Sequence, residues 1–235
     1  MWLALETSGD LASAAVGTSG RLIAQASITE PRHQASELPG LIDQVLRMAG
    51  ATESEIEGII IGDGPGGFTG LRIGATVVKA LVRARRRPLW TIASLRALAA
   101  ARAGSRGRTV VALGDALRGE VYATAVRGHA AGLETVVPAR VWRAGELAAQ
   151  LPAPDLVVIR PEGRNLLPSA WAGIETEIAS PSAAELLDLI GRAAGARHIP
   201  DPEGWEPEYG RPAEAQAKWE ATHGRRLPDS PGQLS

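Results

Sequence analysis

The organisation of this chain is read most directly from Gly58-Ile-Ile-Ile-Gly-Asp-Gly-Pro-Gly-Gly-Phe-Thr-Gly-Leu-Arg-Ile-Gly74. The apolar run at its start is typical of a fully buried strand. The glycine-rich part can adopt left-handed dihedrals and bring bare backbone against another surface. A helical pattern begins at Gly70, and Thr69 is the expected N-cap. The segment therefore predicts a strand, a glycine loop and a helix in direct succession.

This succession is compatible with two interpretations. Free N–H groups and the positive end of the helix dipole point the same way at a helix N-terminus, which suits an anion. A tight turn that lets a helix pack on a sheet requires the same glycines. The loop matches neither the Gly-Lys-Ser/Thr ending of a Walker loop nor the Gly-x-Gly-x-x-Gly dinucleotide fingerprint. Both interpretations stay open.

Composition excludes several classes of function. The chain has 235 residues, a formal net charge of -1 and no cysteine, which excludes disulfides, thiolate nucleophiles and cysteine-ligated metals. Without a global basic excess, any contact with nucleic acid must be local or come through a partner. No signal-like segment opens the chain and no apolar run approaches 18 residues. We therefore expect a soluble, cytoplasmic protein with no membrane association.

Three strands, expected at 2–7, 11–16 and 21–28, precede the central segment. An amphipathic helix follows at 38–49, and Pro39 must lie in its first turn or kink it. Residues 53–57 are expected to form a short helical turn. After the central helix we expect a strand at 89–92 and a helix at 95–103 capped by Ser94.

The same order starts again at residue 109. Strands are expected at 109–113, 120–126, 133–141 and 155–159, with helices at 144–151 and 182–194. Ser182 and Glu185 have the spacing of a capping box. Leu3-Ala-Leu-Glu6 and Val111-Ala-Leu-Gly114 read as the same hairpin used twice. The sequence predicts an α/β fold of two duplicated βββαβα lobes, 1–106 and 107–197, followed by a Pro- and charge-rich tail, 198–235.

Few residues suggest catalysis. The four histidines form no His-x-x-x-His pair, which leaves a helix-borne metal site unsupported, and no Gly-x-Ser-x-Gly elbow occurs. Glu6-Thr7-Ser8 could bind phosphate or a metal-bound water, or could make ordinary turn contacts. Asp115 and Glu120 flank Arg118, where two carboxylates suit either acid–base chemistry or a charge-stabilised turn. The basic run 83–87 suits a solvated helix end or a phosphate backbone.

Several of these motifs occur together in one order, and as a set they resemble the TsaB family of bacterial tRNA threonylcarbamoyladenosine biosynthesis subunits. The resemblance covers roughly residues 2–125 strongly and the second lobe weakly. The motifs that carry it are Glu6-Thr-Ser8, His33-x-x-x-Glu37-Leu-Pro-x-Leu-Ile42, Gly64-Pro-Gly-Gly-Phe-Thr-Gly-Leu-Arg-Ile-Gly74, Ser94-Leu95 and Asp115-x-x-Arg118-Gly-Glu120-Val-Tyr122.

The resemblance implies an actin-like ATPase-domain (ASKHA) fold and a role without a catalytic centre. It implies a scaffold or activating subunit that pairs with the catalytic subunit TsaD, which transfers a threonylcarbamoyl group to the adenosine beside the tRNA anticodon. TsaE, an ATP-hydrolysing subunit, joins the assembly, and tRNA binds through the complex. A homodimer is expected when the protein is alone. No tightly bound cofactor is expected, although ATP or ADP could lie at the complex interface.

Positions carried over from the family fall into two sets, and departures from the family pattern at Glu6 (often Asp) and Gly67 (often Ser) weaken a phosphate-binding role. The expected partner interface is His33, Glu37, Leu38, Leu41, Ile42 and Val45 with Leu71, Arg72 and Ile73. The candidate nucleotide or anion loop is Glu6, Thr7, Ser8, Gly64, Gly66, Gly67 and Thr69.

Two other classes of function compete with this interpretation. An autonomous enzyme of the same fold would be a small-molecule kinase or resemble a metallopeptidase. The second lobe has no glycine-rich counterpart to 62–74, and a metallopeptidase would need a ligand cluster that the sequence lacks. The third class is a tRNA-binding module that uses the basic run at 83–87.

Overall fold

Two β-sheets form the frame of the protein. The structure, a computed structural model, describes residues 1–18, 20–28, 34–191, 195–210 and 222–225. The first sheet has the order β11-β5-β4-β1-β2-β3 and the second the order β10-β9-β6-β7-β8. The first sheet consists of β1 (Trp2–Glu6), β2 (Ser13–Thr18), β3 (Arg21–Ser27), β4 (Gly58–Gly62), β5 (Leu89–Ile92) and β11 (Arg197–Ile199). The second consists of β6 (Thr109–Asp115), β7 (Glu120–His129), β8 (Gly132–Arg143), β9 (Leu156–Ile159) and β10 (Glu175–Ile178).

The two sheets repeat one topology. In the first, β1 pairs antiparallel with β2 and parallel with β4, and β5 continues the parallel part. In the second, β6 pairs antiparallel with β7 and parallel with β9, which β10 continues. β3 and β8 close the antiparallel edges. The predicted duplication is confirmed, and β11 is an addition to the first sheet only.

Helices cover the sheets in alternating layers. These helices are α1 (Gln34–Met48), α2 (Phe68–Arg85), α3 (Ser94–Ala103), α4 (Leu147–Gln150) and α5 (Ala183–Gly191), with short 3₁₀ turns at Glu53–Glu55, Ala144–Glu146, Pro161–Gly163 and Ser169–Trp171. α1 and α2 lie on the outer face of the first sheet. α3 and α5 lie between the sheets, where α3 packs on β6 and β7 and α5 packs on β1 and β2. Each lobe therefore supplies a helix to the other.

Alternation along the strands explains this layering, because successive side chains of a strand point to opposite faces. Ala4 faces the core between the sheets, while Leu3 and Leu5 face α1 and α2. In the second sheet Ala112 faces the central core, while Val111 and Leu113 face α4 and the 3₁₀ turns. Both faces of both sheets are apolar, as expected for strands that read as nearly continuous hydrophobic runs.

Two local predictions are wrong. Thr69 does not cap α2, which starts at Phe68 with Gly67 in the capping position. Ser94 is the first residue of α3 and not its cap; its hydroxyl accepts a hydrogen bond from the Gly64 N–H at 3.2 Å instead. Of the two alternatives for Pro39, the first-turn position is excluded, because Pro39 lies inside α1 beyond its first turn, and the kink stays a prediction.

The capping box of α5 is confirmed, since Ser182 and Glu185 exchange hydrogen bonds of 3.0 and 3.4 Å. The expected continuation of this helix over 192–194 lies outside the described residues. β10 and β11 were not predicted. The lobe boundaries at 106/107 and 197/198 stay a prediction.

No helix among the described residues reaches the length and apolar character that spanning a membrane requires.

Candidate functional site

The glycine loop between β4 and α2 is held by hydrogen bonds within the chain. The Asp63 N–H donates to the Ile92 carbonyl at 3.1 Å, and the Gly64 N–H donates to the Ser94 hydroxyl. The Gly67 N–H donates to the Ser8 carbonyl at 2.8 Å. Three N–H groups that could have faced an anion are therefore engaged by neighbouring strands and helices.

Close packing explains why these positions are glycine. A β-carbon at Gly62 would overlap the Glu6 carboxylate and the Ser94 hydroxyl, and one at Gly66 would overlap the Ser8 backbone. Gly64 has φ +98°, and a β-carbon there would overlap the Glu208 carbonyl. Since only glycine tolerates such approaches, the loop is shaped by its own surroundings.

Glu6, Thr7 and Ser8 lie directly beneath this loop and are completely buried. The Glu6 carboxylate accepts a hydrogen bond from the Ser8 N–H at 2.7 Å. The other Glu6 oxygen and the hydroxyls of Thr7 and Ser8 have no hydrogen-bond partner among the described residues. A buried carboxylate beneath the loop disfavours a second negative charge there. The structure thus brings together the residues predicted for an anion loop, except Thr69, which is exposed on α2.

A segment near the C-terminus, Trp205–Gly210, covers the loop from outside, and we call it the C-terminal strap. The Glu208 N–H donates to the Asp63 carbonyl at 2.7 Å. The Tyr209 ring packs on Phe68 with ring centroids 4.7 Å apart. Sequence analysis assigned this region to a tail, so its position over the loop is a new finding.

The strap is also attached to α2 by charge. Lys79 forms an ion pair with Glu206 at 3.0 Å and lies over the ring of Trp205, which is itself buried. The Tyr209 hydroxyl donates to the other oxygen of Glu206 at 2.9 Å. α2 is therefore fixed to the strap at its first residue, Phe68, and in its second half, at Lys79, as well as to the sheet.

The motif that runs from Asp115 to Tyr122 in the second lobe contacts the strap through one side chain, that of Tyr122. Tyr122 is buried, and its hydroxyl donates to the Tyr209 carbonyl at 3.1 Å. Asp115, Arg118 and Glu120 lie in the turn between β6 and β7, where the Asp115 carboxylate accepts the Leu117 N–H at 2.6 Å. Arg118 has φ +55° and is exposed. The geometry favours the turn interpretation for this motif, with Tyr122 joining it to the strap.

Burial changes the acidity of two carboxyl groups at this junction. Burial raises the pKa of Asp63, although Arg197 donates to its carboxylate at 3.1 Å. The pKa of Glu208 is also raised, first by burial and then by the nearby negative charge of Asp63. Loss of a neighbouring charge or hydrogen-bond partner here would therefore change how stability depends on pH.

The predicted partner residues on α1 and α2 require a correction. Leu38, Leu41, Ile42 and Val45 are buried against the first sheet, and Leu71 is buried beside Gly64 of the glycine loop; each is 5% exposed or less. They cannot form an accessible surface, because the amphipathic stripe of each helix covers its own sheet. Ile73 is half-buried, whereas Glu37 and Arg72 are exposed. His33 lies outside the described residues.

The outward surface of these two helices is made of other side chains, and we call it the α1/α2 face. On α2 the half-buried Ile73 and Val77 adjoin the exposed Thr76 and Ala80. Small residues of this kind let a second helix approach closely. The exposed residues of α1 on this face are Gly40, Asp43, Gln44 and Arg47.

The basic run at the end of α2 is largely paired within the chain. Arg83 lies 3.6 Å from Glu203, and Arg85 forms an ion pair with Glu53. Arg87 donates to the Ser54 carbonyl at 2.9 Å. Arg86 is exposed and terminates the helix with φ +51°. This arrangement fits a helix end near solvent more closely than an open phosphate site.

Within the described part of the chain, no group of three or more metal-ligating side chains comes together. Sequence analysis did not identify two arginines that bind residues of the segment 63–67. Arg197 on β11 pairs with Asp63, and Arg160, after β9, is 3% exposed and contacts the glycine loop. A single arginine beside a proline carries no local signal of such a role.

Comparison with known proteins places this geometry in a family. The model of the family described as TsaD, tRNA N6-adenosine threonylcarbamoyltransferase, matches residues 24–180, more than half of the chain. The chain is 31% identical over 121 residues to the tRNA threonylcarbamoyladenosine biosynthesis protein TsaB of Escherichia coli, covering 51% of this chain and 52% of that protein. It is 34% identical to the protein of that name from Haemophilus influenzae, over 51% of each chain. The chain thus spans about half the length of these two curated relatives.

Two further comparisons extend over nearly the whole chain. The Bacillus subtilis TsaB is 26% identical, covering 92% of this chain and 96% of that protein. A Pseudomonas aeruginosa structure described as similar to peptidase YeaZ superposes with a TM-score of 0.73 at 27% identity, covering 89% of this chain and 99% of that one. The actin-like fold that the sequence predicts is confirmed by the duplicated topology and this match. The chain therefore belongs to the family described as tRNA N6-adenosine threonylcarbamoyltransferase, and it is one of its TsaB members.

Proposed function

We propose that this chain is a non-catalytic scaffold or activating subunit in the biosynthesis of threonylcarbamoyladenosine in tRNA, acting in the cytoplasm. Its partner is the catalytic subunit TsaD, which transfers the threonylcarbamoyl group to the adenosine beside the anticodon. The names of its relatives support this role, since the similar proteins are threonylcarbamoyladenosine biosynthesis proteins and the matching family model is that of a transferase. The chain is similar to both, as expected for a duplicated ancestor that produced a pair of subunits.

The observation that carries the proposal is the α1/α2 face. It combines partly exposed apolar residues, Ile73 and Val77, with small residues, Thr76 and Ala80, on a helix anchored from both sides. Two such helices can pack against two helices of a related subunit and bury apolar area at about 25 cal/mol per Å². A stable interface requires about 800 Å² per partner, which two helices of this length can supply.

In this proposal the same face also forms a homodimer when the catalytic subunit is absent, since a two-fold dimer uses one surface patch on both subunits. We propose that nucleotide, TsaE and tRNA bind to the complex and not to this chain alone. Support comes from the glycine loop, whose Asp63, Gly64 and Gly67 N–H groups bond within the chain above the buried Glu6. The residues present do not fit a phosphate chain inside the loop.

The test is complex formation with purified TsaD of the same organism, measured by size-exclusion chromatography with light scattering and by titration calorimetry. Ala80→Arg places a long cation in the middle of the α1/α2 face. We expect it to weaken the complex at least about 10-fold, or 1.4 kcal/mol, without changing thermal stability. Leu41→Glu is unsuitable, because it would charge the chain's own core.

Ala101→Arg is the matched control, since Ala101 is an exposed helical alanine on α3. The control variant should bind TsaD like the wild type. If the wild-type chain ignores TsaD, the scaffold proposal is wrong. If Ala80→Arg binds as tightly as Ala101→Arg, the complex stands but uses another surface.

A further inference from the structure

Arg160 is a buried cation that crosses from one lobe to the other. It follows β9 of the second lobe, and its backbone N–H donates to the Leu113 carbonyl at 2.9 Å. Its Nη1 donates to the Pro65 carbonyl at 3.0 Å and its Nη2 to the Ser8 carbonyl at 2.7 Å. Both acceptors belong to the first lobe, one in the glycine loop and one in the turn after β1.

The surroundings are built to admit this side chain. A β-carbon at Gly114 would lie 3.1 Å from the Arg160 Cδ, tighter than ordinary contact, and Gly9 lies beside its Nη2. Glu162, two residues away, balances the charge with its carboxylate 2.6 Å from Nε. The guanidinium is therefore surrounded by two carbonyl oxygens and one carboxylate, which suits a planar cation.

The loop thus presents acceptors where an anion site would present donors. Its Gly64 and Gly67 N–H groups are bonded to the Ser94 hydroxyl and the Ser8 carbonyl, and the carbonyls of Pro65 and Ser8 accept hydrogen bonds from the second lobe. An anion placed there would meet oxygen atoms, whereas a guanidinium satisfies them.

We propose that Arg160 is a built-in cationic ligand of the glycine loop, which holds the two lobes closed at the junction where β4 and β9 end. The loop is a guanidinium-binding site that the chain fills itself. Closure therefore requires no bound nucleotide. This inference does not depend on the proposed partner, because it concerns contacts within one chain.

Two consequences follow. Without the Arg160 side chain, the Gly67 N–H should open to solvent, since its acceptor Ser8 would lose the guanidinium that fixes it. The space left by an alanine should also accept a free guanidinium compound from solution. A small molecule bound only to the folded state stabilises that state by RT ln(1 + L/Kd), where L is its concentration, and so raises the melting temperature as that concentration rises.

The first measurement is amide hydrogen exchange of the full-length Arg160→Ala protein. We expect exchange at the amides of Gly64, Gly66 and Gly67 and at residues 8–9 to rise about 10-fold or more, while β4 and β6 keep their protection, as for a local opening. Arg164→Ala is the matched control, because Arg164 is exposed in the same segment and donates to the Pro161 carbonyl. It should leave exchange at residues 64–67 unchanged. Wild-type protection at 64–67 in Arg160→Ala would overturn the proposal.

The second measurement is rescue, and it remains decisive if Arg160→Ala is too unstable for hydrogen exchange. About 10 mM ethylguanidinium should raise the melting temperature of Arg160→Ala by several degrees. Ethylammonium at the same concentration should not, because it lacks the planar fork of donors, and neither compound should affect the wild type. Equal effects of the two compounds on Arg160→Ala, or none from ethylguanidinium, would overturn the guanidinium-site assignment.

Discussion

The ends of β4 and β9 occupy equivalent places in the two lobes but lead to different structures. Each strand pairs parallel with the first strand of its hairpin. β4 leads into the glycine loop and the 18-residue α2. β9 leads into Arg160 and two 3₁₀ turns, with no α-helix between residues 160 and 174. The two sheets share one topology, but the connections after β4 and β9 differ. The connection after β4 is a loop with a carbonyl that accepts a hydrogen bond, and the connection after β9 begins with the arginine that donates it.

The first strands show the same complementarity. By the hairpin alignment, Glu6 in the first lobe corresponds to Gly114 in the second. Glu6 is a buried carboxylate for which Gly62 leaves room, whereas Gly114 leaves room for Arg160. The two lobes therefore differ at matched positions, where one has a large side chain and the other has a glycine that leaves space. The outer layers differ too, since in the described part of the chain only the first lobe has two long helices outside its sheet.

The largest expected effect is on the free energy of unfolding. It tests whether the space at the end of β4 is as tightly limited as this comparison implies. Gly62→Ala would place a methyl group on the Glu6 carboxylate and the Ser94 hydroxyl. We expect a loss of about 3 kcal/mol in the free energy of unfolding, because overpacking meets a buried charge. Chemical denaturation measures it. Gly145→Ala, where a β-carbon meets nothing within 4 Å, should stay within about 0.5 kcal/mol of wild type. Equal losses would refute the packing argument.

An intermediate effect tests the link between the second lobe and the strap. Tyr122→Phe removes the hydroxyl that donates to the Tyr209 carbonyl and keeps the ring. We expect about 1 kcal/mol of destabilisation, since one buried acceptor loses its partner. Denaturation should reveal it together with faster hydrogen exchange at Glu208, whose N–H holds the strap to Asp63. A destabilised protein with an unchanged strap would show that Tyr122 acts only within its own lobe.

The smallest expected effect is a change in how stability depends on pH. It tests Asp63, the acidic residue that directly follows β4, whereas Arg160 follows β9 in the second lobe. Burial raises the pKa of Asp63 in the folded protein above its unfolded value of about 3.9. The folded state then binds the proton more tightly, so this contribution is full below pH 3.9 and is lost as pH rises through the folded pKa. Asp63→Asn cannot titrate. Its stability relative to wild type should therefore increase as pH rises from 4 upwards.

Denaturation curves at several pH values measure this slope, with the exposed Asp43→Asn as the control for loss of one carboxylate. A stability difference between Asp63→Asn and wild type that falls as pH rises would mean that Arg197 outweighs burial. The same curves would then assign the ion pair, at 3.1 Å, the dominant role.

Much of the fold was predictable because its strands are apolar and its helices periodic. β4 and β5 were expected within one residue of their ends. β10 and β11 escaped because they are three or four residues long and mostly exposed, so only tertiary pairing defines them. Periodicity identified the apolar stripe of α1 but could not say what buries it, since a sheet and a partner helix select the same residues.

The site was predictable as a set of motifs but not as an arrangement. Glycine content revealed a close approach of the backbone at 62–67, and the sequence could not say whether a ligand or the chain itself approaches. Arg160 and the strap fill the loop from distances of 95 and about 145 residues along the chain. Contacts of such sequence separation leave no pattern within a local window.

The exchange of helices between lobes also has a consequence for synthesis on the ribosome. α5, which completes the inner face of the first sheet, and β11, which completes its edge, are translated after all five strands of the second sheet. The first hundred residues therefore emerge with one apolar face uncovered, and α3 emerges before the sheet on which it packs. The nascent chain cannot finish one lobe before beginning the other. Its final structure must form in a late step, when nearly all of the polypeptide has left the exit tunnel.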